Sequence, residues 1–212
     1  MKSPRLAFSL ALLFILPMAA SAAIVTNGSF ENPNNTWSNS GFNYMEVRTG
    51  DSNITDWSVA SATPGGVAWA RRPTNDGFNP SDGDYFVDLS GFGTNAGPAA
   101  RLEQVLQNLI AGETYTVGVD YWGDRASLSI GGSQIAAAAA ASGGWTRLTA
   151  TFQATGTQAL LAVGRIGSSG VAFVDNLTVN GREAGGGSLP EPASLSIAAL
   201  ALAALTLSRR RR

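Results

Sequence analysis

The chain has 212 residues, with 14 basic and 15 acidic side chains and neither cysteine nor histidine. That composition removes disulfides, thiol nucleophiles, the common zinc sites and a Ser-His-Asp triad. The only lysine is Lys2, so a lysine Schiff base, a Ser-Lys dyad and a P-loop are excluded as well, and the major enzyme class left open is a glycosidase built on two carboxylates.

Residues 1–22 read as a secretory signal peptide. Lys2 and Arg5 precede an apolar run over 6–18, and Ala20, Ser21 and Ala22 form an A-x-A site that places the cut after Ala22 or Ala23. Without this segment and the C-terminal tail, the remaining stretch holds eight arginines against fourteen acids, a net of −6. A basic nucleic-acid footprint is absent, so no nucleic-acid partner is expected.

Residues 23–181 carry the strand signature, short alternating runs of apolar and β-branched residues bounded by Gly, Asn, Asp and Pro. In chain order the expected strands are Phe42–Val47, Trp57–Ala60, Val67–Arg71, Tyr85–Leu89, Ala99–Leu106, Thr114–Trp122, Ala126–Ile130, Trp145–Phe152, Thr157–Gly164 and Val171–Val179. The clearest is "TYTVGVDYW", which sets Tyr115, Val117, Val119 and Tyr121 on one face and Thr116, Gly118, Asp120 and Trp122 on the other. The alanine run 136–141 is too short for an independent helix and reads as a loop or a strand end. So many short strands in one domain predict an all-β protein, an antiparallel β-sandwich of jelly-roll type.

The order "IVTNGSFENP", with a first strand, then "ITDW", "DGDYFVDLSG", "GETYTVGVDYW", "GGWTRLTATFQA" and "VAFVDNLTV", resembles the galactose-binding-like jelly rolls of carbohydrate-binding modules. The resemblance implies a structural Ca²⁺ bridging the first loop and the last strand. Glu31 and Asp175 would be its carboxylate ligands, completed by backbone carbonyls. The bland alternative is that Asp175 and Asn176 bond nearby backbone groups at a strand irregularity.

Two further stretches carry candidate sites. "NDGFNPSDGDYFVD" brings together Asp76, Asp82, Asp84 and Asp88, but the spacing fails the EF-hand pattern and Asp82-Gly83 is an ordinary tight-turn pair. The aromatics Trp37, Trp57, Trp69, Trp122 and Trp145, with Tyr44, Tyr85 and Tyr121, are either core packing or platforms for sugar rings. Trp69, followed by Arg71 and Arg72 at the mouth of a Pro- and Asn-rich loop, is the one expected to be exposed, with arginine donors for hydroxyls or acidic sugars. Glu46, Glu103, Glu113 and Asp120 are acid–base candidates by residue type only, and no catalytic pair is assigned.

The tail is organised in three parts. A Gly-rich linker, 182–189, leads to Pro190, Glu191 and Pro192. An uncharged run over 195–207 follows, and then Arg209 to Arg212. The apolar run is about 20 Å long as a helix, short of the ~30 Å hydrocarbon core, and becomes a marginal transmembrane helix only with its flanks. The arrangement resembles the PEP-CTERM sorting signal of Gram-negative bacteria, a module also labelled an ice-binding-protein C-terminal domain, and the label carries no expectation of ice affinity. It implies an exosortase partner, transient anchoring in the inner membrane, and delivery to the cell surface or extracellular matrix. The expected protein is therefore non-enzymatic, a carbohydrate-interacting or adhesive sandwich meeting extracellular polysaccharide. A purely structural surface protein, or a carboxylate glycosidase, are the alternatives.

Overall fold

The alternation in the stretch Thr114–Gly123 dictates a second layer. Tyr115, Val117, Val119 and Tyr121 are buried on one face, and a strand that buries one face needs another sheet to cover it. A computed structural model describes residues 24–31, 36–60, 66–91, 100–166 and 170–180. The signal peptide, the linker, the Pro-Glu-Pro motif and the C-terminal apolar run lie outside the described residues.

Eleven strands are described: β1 Tyr44–Arg48, β2 Ser58–Ala60, β3 Gly66–Arg71, β4 Tyr85–Asp88, β5 Arg101–Leu106, β6 Thr114–Gly123, β7 Arg125–Ile130, β8 Ser133–Ala137, β9 Ala141–Gln153, β10 Ala159–Ile166 and β11 Ala172–Val179. They form a six-stranded sheet, β1-β3-β4-β11-β6-β9, and a five-stranded sheet, β2-β5-β10-β7-β8. Every ladder is antiparallel, and no helix occurs among the described residues. Only β3–β4 and β7–β8 are successive strands paired within one sheet. Elsewhere the chain crosses between layers, as a jelly roll requires.

Ten strands fall where alternation places them, and one does not. β8 has no counterpart among the expected strands; it ends on Ala136 and Ala137, the first two residues of the run read as a loop or a strand end, and β9 begins on Ala141. Gly131 and Gly132 adopt φ of 58° and 83° between β7 and β8, the two-residue turn that closes a hairpin and that glycine adopts without a Cβ clash. The N-terminal segment also differs, because Val25–Phe30 forms no strand of its own. Instead the Gln104 side chain brackets Thr26, accepting from its N–H at 2.9 Å and donating to its carbonyl at 2.9 Å. That exchange mimics one rung of a ladder and seats Val25 and Phe30 in the core.

The sheets enclose one continuous core in which Phe30, Trp69, Leu102, Leu128, Leu161 and Leu177 are fully buried. Each such side chain stabilises the fold by roughly 1.5–3 kcal/mol relative to exposure. Phase in β11 is kept by a bulge. Asp175 pairs with Asp120 but Thr178 pairs with Gly118, and Asn176 takes up the extra residue at φ 47°. Val174 before the bulge and Leu177 after it both therefore point inward.

A second apolar cluster lies on the outer face of the six-stranded sheet. Tyr44, Ala68, Ala70, Phe86 and Phe173 are buried there, with Phe78, Trp122 and Trp145 packed against them. A sheet face turned to solvent ordinarily carries polar residues, so this apolar cluster sets the face apart.

Candidate functional site: a pocket on the outer face of the six-stranded sheet

Along β3, Val67 and Trp69 turn into the core while Ala68 and Ala70 turn outward. Larger side chains stand in register with these alanines. Tyr44 of β1 pairs with Ala70, Phe86 and Asp88 of β4 pair with Ala70 and Ala68, and Phe173 of β11 pairs with Asp88. Small residues between large ones leave a depression. It is a half-open cavity of about 290 Å³, floored by Ala68 and walled by Phe42, Tyr44, Asp76, Phe78, Asp88 and Phe173.

Two loops complete the walls. The segment 73–81 folds back over the sheet and sets the Phe78 ring edge-on to Phe173 at 4.7 Å and Trp122 at 5.1 Å. It is pinned at several points. Thr74 Oγ1 donates to the Phe78 carbonyl (3.0 Å) and accepts from its N–H (2.8 Å), and Trp145 Nε1 donates to the Asn79 carbonyl (2.9 Å). The Asn75 N–H reaches the Phe42 carbonyl at 3.2 Å. In the other loop, Asn39 Oδ1 accepts from the N–H groups of Gly41 and Asn43. That fixes Phe42 at φ 58°, in the left-handed region, with 62% of its surface exposed. A large apolar residue that is both strained and solvent-exposed is a poor choice for stability alone.

Asp88 is only 6% exposed. Its Oδ1 accepts from the Ser90 N–H (2.8 Å), the Ser90 hydroxyl (2.5 Å) and the Ala172 N–H (3.3 Å). No donor among the described residues is recorded for Oδ2. Burial raises the pKa of this carboxyl above its ordinary value, against the Ser90 and Ala172 donors and the Arg165 charge, which act to lower it. Burial likewise pushes the Tyr44 phenol up to about 12, with the charges of Asp88 and Asp76 adding to it and a Thr74 hydrogen bond opposing it. Tyr44 is accordingly a neutral hydroxyl over the working pH range. The pocket thus offers aromatic surface, a phenol and two carboxylates.

The residues expected to bind ligand lie elsewhere. Trp69 is 0% exposed, which corrects the expectation that it stands at the surface. Its position between Met45 and Val87 on the inward face of β3 puts the indole under both neighbouring strands. It packs on Tyr85 with ring centroids 5.3 Å apart. Arg71 lies over the rings of Trp37 (5.6 Å) and Tyr85 (5.8 Å), a cation–π arrangement at the end of the core. Arg72 is paired with Asp84. None of the three lines the pocket.

Glu31 and Asp175 do converge, on the turn between the pocket loop and β4. Glu31 accepts from the N–H groups of Asp84 (2.8 Å) and Tyr85 (2.7 Å) through Oε1. Asp175 Oδ2 accepts from the Ser81 N–H (2.7 Å), the Ser81 hydroxyl (3.0 Å) and the Asp82 N–H (2.9 Å), and its Oδ1 accepts from the Asn176 N–H (2.7 Å). Burial pushes Asp175 up to about 8 and also raises Glu31, in each case against these donors. Calcium needs six to eight oxygen lone pairs. Here the lone pairs of Asp175 face N–H and O–H donors, so this arrangement does not fit the ion, and no step is routed through one. Among the described residues no three acidic side chains gather as a metal cluster.

The four acids of the Asp76–Asp88 stretch part company. Asp82 gives its amide to Asp175, Asp84 pairs with Arg72, and Asp76 and Asp88 reach the pocket. Glu46, Glu103 and Asp120 pair with Arg48, Arg101 and Arg147, and Glu113 is exposed in a turn. The pocket residues Tyr44, Phe78 and Asp88 escaped sequence reasoning as a group because they come from strands and loops far apart in the chain. The outward placement of Trp122 in the β6 alternation was the signal that this face is not polar.

No protein-family model matches the chain, and no curated protein matches it. Solved structures do. TmCBM61 in complex with β-1,4-galactotriose is 18% identical with a TM-score of 0.50, over 75% of this chain and 98% of that one. A cyclase from Fischerella sp. is 20% identical with a TM-score of 0.52, over 74% and 95%. The Stig cyclase Fisc from Fischerella sp. TAU, solved with an indole ligand, is 19% identical with a TM-score of 0.51, over 74% and 96%. Likeness at this identity is one of fold, and one fold hosts unrelated functions. The chain is an all-β, antiparallel β-sandwich of jelly-roll type, a fold it shares with these proteins.

Proposed function

We propose that this protein is a non-catalytic, carbohydrate-interacting module of the cell envelope, and that its ligand enters the pocket on the outer face of the six-stranded sheet. The observation that carries this reading is the pocket's lining, in which Tyr44, Phe78, Phe173 and an exposed, strained Phe42 surround the buried carboxylate of Asp88. A sugar ring has apolar C–H faces and a rim of hydroxyls. Aromatic walls suit the faces, while Asp88 and the Tyr44 hydroxyl suit the rim. The volume of about 290 Å³ lies at the small end of the ~300–1,000 Å³ usual for ligand pockets, which favours one sugar residue over a long chain. A solved neighbour with this fold was crystallised with β-1,4-galactotriose, which is compatible with such a role.

Export by the signal peptide over 1–22 and sorting by the Pro190-Glu191-Pro192 tail complete the proposal. The apolar run holds the protein in the inner membrane until an exosortase acts, and the domain then reaches the cell surface or matrix, where extracellular polysaccharide is the partner. Support for this routing comes from the sequence of both ends. The test is a glycan array probed with the intact protein and with Phe78→Ala. Binding weakened in the variant is expected. A folded protein that binds no glycan returns the reading to a structural surface protein, and release of reducing sugar contradicts the non-catalytic role.

A further inference from the structure

We propose that the pocket takes its glycan through a primary ammonium group, so that the ligand is an amino sugar with a free amine and acidic sugars are rejected. This rests on the pocket being the carbohydrate site and adds the chemical class of the sugar.

Charge is the first ground. Asp76 and Asp88 line the pocket and no basic residue does. Six arginines are engaged elsewhere. Arg48, Arg72, Arg101, Arg147 and Arg165 hold Glu46, Asp84, Glu103, Asp120 and Asp124, and Arg71 lies over Trp37 and Tyr85. The Arg165 charge reaches Asp88 from a distance, but its guanidinium is bonded to Asp124 Oδ2 and the Gly170 carbonyl and lies outside the pocket lining. A uronate in this pocket would meet the carboxyl groups of Asp76 and Asp88 with no basic side chain in the lining to pair with it.

The second ground is the half-satisfied carboxylate. Three donors saturate Oδ1 of Asp88, and none among the described residues is recorded for Oδ2. Oδ2 is not one of the buried atoms left without a partner, so it stays open to the pocket, where a donor of the ligand can reach it. A sugar hydroxyl supplies one neutral donor. An ammonium supplies three, and its hydrogen bond to a carboxylate is roughly twice as strong.

The third ground is the ring set. Tyr44, Phe78 and Phe173 line the same cavity, and aromatic faces attract a cation. N-acetylation would abolish the charge and add bulk in a small cavity.

The experiment is calorimetric titration of the intact protein with a glucosamine oligomer, its fully N-acetylated counterpart and a galacturonate oligomer, repeated on Asp88→Asn and Asp76→Asn. The glucosamine oligomer should bind at least about tenfold tighter than the N-acetylated one, the effect of one charge-assisted bond. Asp88→Asn should erase that preference, and Asp76→Asn should reduce it about two- to threefold. A preference that survives in folded Asp88→Asn is bulk attraction to a net-negative domain, and it overturns the assignment. Equal affinity for both oligomers, or tightest binding of the galacturonate, also overturns it while leaving the carbohydrate site standing. Failure to bind these or any neutral glycan sinks the carbohydrate reading itself. Should Asp88→Asn not fold, the wild-type oligomer comparison and the exposed Asp76→Asn still decide.

Discussion

Phe78→Ala tests whether the loop over 73–81 is truly packed against the sheet, because it removes one ring and leaves the loop's hydrogen bonds in place. The ring is half-buried and contacts Phe173 and Trp122 edge-on at 4.7 and 5.1 Å. Full burial of a phenylalanine is worth about 1.5–3 kcal/mol, so half burial contributes about 1 kcal/mol. Each edge-on aromatic pair adds about 0.5–1.5 kcal/mol. The expected loss is about 2–4 kcal/mol, which for a domain of this size lowers the melting temperature by roughly 4–16 °C. Thermal melting followed by circular dichroism reads it directly. Phe42→Ala is the control, because that ring is largely exposed and an exposed substitution ordinarily changes stability by no more than about 0.5 kcal/mol. A Phe78→Ala melt within 1–2 °C of wild type, against the several-degree loss this packing predicts, would refute the packed loop and with it one wall of the pocket.

Three other outcomes follow from the same structure. Folding raises the Asp88 pKa above its ordinary 3.8, so the folded state holds that proton more tightly than the unfolded state does. Its contribution is complete below about pH 3.8 and is lost as pH rises through the folded value. Asp88→Asn keeps an acceptor for Ser90 and Ala172 and has no such loss, so its melting temperature should gain on wild type as pH rises from about 4 towards neutral. Parallel pH profiles would contradict this. Because donors occupy the lone pairs of Asp175, exchanging calcium for EGTA should leave the melting temperature unchanged, whereas a rise of several degrees with calcium would show that the ion displaces those donors. Intact mass of the protein released to the surface should lack Arg209 to Arg212, and their retention would contradict cleavage at the Pro-Glu-Pro motif.

The layers of this fold were legible because one strand face is buried and the side-chain period is two. Tyr115, Val117, Val119 and Tyr121 announce an inward face, and ten strands follow from runs of this kind. β8 was hidden by composition, since alanine has high helix propensity and little strand signal, while the Gly131-Gly132 turn that decides the matter occupies only two residues. The pocket was legible only in pieces. Trp69 and Arg71 adjoin in sequence a loop rich in Pro and Asn, which suggests a surface. Alternation along β3 nevertheless sends Trp69 inward, and it is the small Ala68 that faces the ligand side. A depression is made by what a strand lacks relative to its neighbours, and those neighbours are set by the strand order β1-β3-β4-β11. Residues 44, 68, 88 and 173 meet through that order, which local patterning does not encode.

The most direct test of the central claim is to fill the pocket from its floor. Ala68 is buried on the outer face of β3 beneath the cavity, so Ala68→Phe occupies the ligand's space without entering the core between the sheets. Glycan affinity is measured by calorimetry alongside a melt. The account predicts that the filled variant stays folded, with a melting temperature lowered by roughly 2–12 °C because overpacking typically costs about 1–3 kcal/mol, and that it loses glycan binding. Wild-type affinity in a folded Ala68→Phe protein would contradict the account and place the ligand on another surface.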